Sequence, residues 1–138
     1  MAYQITRKNR IKEELQLCHA NGDIALTIPV DINVDEMGAK VVKAQDTLGE
    51  AQNLVRDNPA SEEAMEAYGK AICTLFAVIF GEDNTAKILQ FYEGNYAEML
   101  IDIFPFINDV VMPAIKEASA SRKAQLMNAA KAAKRMGR

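Results

Sequence analysis

The hydrophobic period changes at Asn33, and that change decides most of what this chain can build. Before it, Ile24, Leu26, Ile28, Val30, Ile32 and Val34 alternate without a gap, the period of a half-buried strand. After it, Val34, Met37, Val41, Ala44, Leu48, Ala51 and Val55 recur at alternating spacings of three and four, the seam of a helix. Side chains alternate along a strand and turn by 3.6 residues around a helix, so one segment cannot satisfy both patterns. The chain must pass from sheet to helix near Asn33, which is itself a good N-cap with Glu36 three residues on.

Upstream, Ile11, Leu15 and Leu17 share one face of a first strand, and Ala20-Asn21-Gly22-Asp23 separates it from the second. Asn-Gly favours the two-residue type I′ turn, which predicts an antiparallel hairpin over about 11–33. Pro29 cannot donate a ladder hydrogen bond, so the second strand has an edge there or ends early. A lone hairpin is only marginally stable, and its apolar face must pack on helices or on a second subunit.

Downstream, Asn58-Pro59 ends the first helix, because the residue before a proline avoids the helical region. Ser61 caps a second helix with Glu62 and Glu63 at its positive end. Its apolar stripe is Met65, Tyr68, Ile72, Leu75, Phe76 and Ile79, and Gly81 stops it. A short helix follows over about 85–92 and closes at Gly94. Asn95 and Glu98 then open a long helix, apolar nearly all round, through Met99, Leu100, Ile103, Phe104, Phe106, Ile107, Val110, Val111 and Ile115. Pro105 and Pro113 are expected to kink or split it. The 138 residues suffice for one domain with its own core. The fold class expected is α+β, mainly α: a hairpin and about four bundled helices within a single domain over 1–118. A basic tail, helical or frayed, follows over 119–138.

Charge divides the chain. After the last acid, Glu117, come Arg122, Lys123, Lys131, Lys134, Arg135 and Arg138, while Arg7, Lys8, Arg10 and Lys12 precede the first acid, Glu13. The body between holds 6 bases against 19 acids. Such a body repels nucleic acid, leaving only the termini for any such contact. The tail has no aromatic residue to stack on bases and fits a solvated or protein-binding helix better than a nucleic-acid reader.

Chemistry is sparse. With one histidine, His19, no site can draw on two or three of them, and the two cysteines, Cys18 and Cys73, make no C-x-x-C pair and are expected as reduced core thiols. No P-loop, dinucleotide-binding or nucleophile-elbow motif occurs. Glu62, Glu63 and Glu66 read as a solvated helix face, and the stretch from Asp31 to Glu36 lacks the glycine and length of a calcium loop. His19 reads as an exposed turn residue. Neither catalytic residues nor a cofactor or metal site is expected. The most apolar window, Met99 to Ile115, holds two aspartates and two prolines and is too short to span a bilayer, so a cytoplasmic location is expected.

The run Phe80-Gly81-Glu82-Asp83-Asn84, then Ile88 through Leu100, then Ile103-Phe104-Pro105-Phe106-Ile107, resembles the small tail assembly chaperones of long-tailed phages and prophages of Gram-positive bacteria. The likeness is clearest over about 72–118. It implies a non-enzymatic protein of the host cytoplasm, absent from the mature virion. Such a protein binds the tape measure protein, keeps its apolar helices in solution and helps recruit tail tube subunits. It also implies that a frameshifted, longer product can accompany the shorter one. On the residues themselves, a helical client calls for anchors at i, i+3, i+4 and i+7, and Phe104, Ile107, Val111 and Ile115, with Phe91 and Tyr92 at the preceding corner, supply that pattern. The helical seam Val34, Met37, Val41, Leu48 and Val55 and the hairpin edge are the surfaces expected to carry homo-oligomerisation. Two other readings compete with the chaperone: a structural subunit of the tail or virion, and a small nucleic-acid-binding regulator acting through its basic ends.

Overall fold

Strands β1 (Arg10–Cys18) and β2 (Ile24–Asn33) pair antiparallel, and helix α1 (Val34–Asp57) begins at the residue after β2 ends. Helices α2 (Glu62–Phe80), α3 (Glu82–Phe91) and α4 (Tyr96–Phe106) follow. A π-helical turn, Ile107–Val111, then joins α4 to α5 (Met112–Met136) without a break. The fold is thus mainly helical α+β, an N-terminal hairpin followed by four helical segments if the last continuous run is taken as one. The computed structural model describes Ala2 and residues 10–136, the side chains of residues 122 and 132–136 excepted. Arg7, Lys8 and Arg138 of the basic ends lie outside the described residues.

The caps are made by the residues whose chemistry suits them. Asn33 Oδ1 accepts from Glu36 N at 3.3 Å, Ser61 Oγ from Ala64 N at 3.2 Å and Asn95 Oδ1 from Glu98 N at 3.1 Å. Each satisfies one of the backbone donors that a helix start leaves open. Gly81 serves two helices, ending α2 at φ 86° and preceding α3, whose first turn it holds through Thr85: that residue's hydroxyl and amide both donate to its carbonyl.

The hairpin departs from the expected two-residue turn. Gly22 N donates to His19 O at 2.9 Å and His19 N to Asp23 O at 2.8 Å, leaving a three-residue loop, Ala20-Asn21-Gly22. Gly22 has φ 92° but Asn21 is not in the left-handed region, which excludes type I′. Asn21 is instead held by its own side chain, whose Oδ1 accepts from Asp23 N at 3.0 Å. This loop brings a register shift: Leu17 faces Leu26, but Cys18 faces Ile24. The slip moves Ile24 off the inner face that buries Ile28, Val30 and Ile32, and it is exposed beside Cys18. Cys18 is therefore not a core thiol, and Cys73 is only half-buried; both are free. Pro29 does not end β2, which continues four residues beyond it; a two-stranded sheet leaves each strand one unpaired edge to accommodate it.

The core lies between the inner face of the hairpin and the helices. The α1 seam is spent inside the chain: Val34, Val41 and Leu48 are buried and Met37 and Val55 half-buried. The principal neighbour of α1 is α2. Rings tie α2 to α4, with Phe76 edge-on to Phe80 at 5.4 Å and Phe80 stacked on Phe106 at 6.2 Å. Near the start of α1, Gly38 lets α5 approach, since a Cβ there would lie 3.4 Å from Ile115 Cγ2.

Neither proline breaks the last helix. Met99, Ile103, Ile107, Val111 and Ile115 are all buried and spaced by four. In a regular α-helix each four-residue step drifts about 40° around the axis, so the row would wind off the core. The π turn offsets the drift, with Met112 N bonding Ile107 O five residues back. Pro105 and Pro113 flank this turn, and both are exposed, so the backbone donors they lack fall on the solvent side of the helix. Beyond Ala118, every described side chain of α5 is exposed to Lys131, so the tail is helical and leaves the body. Among the described residues no helix is long and apolar enough to cross a membrane.

Gly49 sits inside α1 with nothing within 4 Å of where a Cβ would be. Gly49→Ala is expected to raise the unfolding free energy by about 0.5–1 kcal/mol, measured by urea denaturation, because it removes only backbone freedom.

Candidate functional site

The α3–α4 corner is built by two residues in the left-handed region, Glu93 at φ 54° and Gly94 at φ 79°. Gly94 N reaches back to Leu89 O at 3.0 Å and Asn95 N to Tyr92 O at 3.0 Å, closing α3 as Asn95 starts α4. The reversal places Phe91 and Tyr92 edge to face at 5.1 Å and brings Phe91 to 6.0 Å from the His19 ring of the hairpin loop. Between the loop and the corner runs a cleft whose lining includes Tyr92, Glu93, Glu98 and Asp102 and contains no lysine or arginine.

Tyr92 is buried, and its phenol is pushed well above the ordinary tyrosine range, first by burial, then by its hydrogen bond to Asp102 and the charges of Asp102 and Glu98. The phenol keeps its proton and donates a hydrogen bond to the Asp102 carboxylate, linking the corner to α4. Cys73 is likewise pushed up by burial, away from the thiolate that nucleophilic chemistry needs. Among the described residues no group of three or more His, Cys, Asp or Glu could hold a metal ion.

The residues singled out for a client surface divide. Tyr92, Ile107, Val111 and Ile115 are buried within this chain, while Phe91 and Phe104 are half-buried. They form no open groove as they stand, since the spacing that marks anchors for a partner helix is the spacing that buries this helix in its own core.

An apolar depression does open between α2 and the start of α4. Met65 is 50% exposed and Tyr96 38%, and between them lie Gly69 and Cys73. A Cβ on Gly69 would come within 3.1 Å of the Tyr96 ring, so the ring rests on the α2 backbone itself. Glu63, Glu66 and Lys70 border the depression. Periodicity assigned Met65 to the α2 core stripe, but it falls in the first turns of α2, where no neighbouring element covers it. The available signal was Met65, Gly69 and Cys73 at spacings of four, a notch of one small residue between two larger ones.

Comparison with protein-family models, curated proteins and solved structures finds no match to this chain.

Because the Tyr92 pKa is higher folded than unfolded, its contribution to stability is intact below about pH 10 and is lost as pH rises through the folded value. Tyr92→Phe is expected to flatten the alkaline fall in unfolding free energy, measured by denaturation at a series of pH values above neutrality.

Proposed function

We propose that this protein is a non-enzymatic tail assembly chaperone of a long-tailed phage or prophage. Its client is the tape measure protein, held in the host cytoplasm while tail tube subunits are recruited, and the chaperone is left out of the finished particle. The depression over Gly69 carries the reading. It presents Met65 and Tyr96 to solvent on a charged body, an open apolar contact for a client helix. The resemblance to such chaperones supports it from the other side, because its residues, Phe80 to Ile107, build α3, the corner and α4, the elements that carry Tyr96.

Co-expression with the tape measure protein of the same phage, followed by pull-down and light scattering, tests it. A soluble complex is expected, weakened at least tenfold by Met65→Asp with circular dichroism and melting unchanged, as for loss of an apolar anchor worth about 2 kcal/mol; Tyr96→Asp should weaken it too, but at some cost in melting temperature, because the Tyr96 ring also packs on α2. Ile107→Asp would report on folding instead, since Ile107 is wholly buried. A soluble tape measure protein that never associates with the chain would overturn the reading.

A further inference from the structure

The two most exposed large apolar side chains described in this structure lie on oppositely charged stretches of one continuous helical run. Ile101, on α4, is 71% exposed; Leu126, on α5, is 65% exposed with Met127 beside it at 54%. Around Ile101 the exposed side chains include Glu98, Asp102 and Asp109, and between Lys87 and Lys116 the sequence contains no base. Around Leu126 and Met127 stand Lys123 and Lys131, both exposed, and no acid follows Glu117. On a helical wheel Lys123, Leu126, Met127, Ala130 and Lys131 share one side of α5. Along the axis Lys123 and Lys131 are about 12 Å apart and Glu98 and Asp109 about 16 Å, at a rise of about 1.5 Å per residue, so the two patches are of similar length.

One chain cannot bring its own patches together. Tyr96–Met136 is an unbroken helical path, which keeps Leu126 about 37 Å from Ile101 along the axis. The α5 patch has left its own body, and tail against tail would oppose lysine to lysine. We propose that the α5 patch of one copy docks on the α4 face of a second copy, Leu126 and Met127 covering Ile101 while Lys123 and Lys131 meet Glu98 and Asp109. Because the two patches differ, association either closes reciprocally or continues to further copies. This surface is separate from the depression assigned to the client.

Paired charge reversal tests the contact. One variant carries Lys123→Glu and Lys131→Glu; the other carries Glu98→Lys and Asp109→Lys, which leaves the Tyr92 partner Asp102 in place. All four positions are exposed, and circular dichroism and melting establish that each variant folds. Sedimentation at low salt is expected to show concentration-dependent association of the native chain, weakening as salt rises. Each variant alone should have its dissociation constant raised at least tenfold, and an equimolar mixture should recover association, because each tail then meets a face of opposite charge. Leu126→Asp should also lose association. A native chain that stays monomeric at every concentration, either variant associating as the native chain does, a mixture that stays dissociated, or no effect of Leu126→Asp would overturn the proposal.

Discussion

One row of apolar residues spaced by four, Met99, Ile103, Ile107, Val111 and Ile115, holds the second half of the molecule together. A regular α-helix cannot keep such a row facing one core, and the π turn reconciles the spacing with the packing. It also lets a helix with two prolines run unbroken from the corner at Asn95 into the tail. Loss of two backbone hydrogen bonds at the prolines is tolerable because it falls on the solvent side, where water replaces the missing donor.

That row decides what the helix leaves outside. With the five residues turned inward, Ile101 and the acidic side chains of α4 face solvent, and Tyr96 is carried against Gly69 on α2. The same helix then outruns the body, so its basic tail stands clear of the acidic domain it belongs to. Two surfaces result, an apolar depression beside the start of α4 and a charged, apolar-centred face along it. Both present apolar side chains bordered by charged ones.

Local signals were legible where a single residue type meets a single geometric need. Asn33, Ser61 and Asn95 cap the helices they were expected to cap, Gly81 ends α2, and the change of period at Asn33 marks the step from β2 to α1. What depends on pairing or on the neighbourhood was not legible. The outward turn of Ile24 follows from a register slip, which alternation within one strand cannot reveal. The exposure of Met65 depends on which elements lie near the start of α2. The last helix was the hardest to read: apolar nearly all round, it offers the same spacing whether Ile107 and Val111 meet the core or a client, and only the packing separates the two.

The π turn is one extra residue, absorbed to keep this row in phase, and a change of length at that turn is the first experiment to make. Deleting Asn108, which is exposed, should convert the turn to regular α-helix and preserve the phase of everything after it, so unfolding free energy should change by no more than about 1 kcal/mol. Inserting one alanine at the same place should instead rotate Val111, Met112, Ile115 and Ala118 out of phase with the core and cost several kcal/mol, as expected for losing buried apolar contacts. Denaturation of the two variants side by side gives the answer. A chain that tolerates the insertion and unfolds on the deletion would contradict the account.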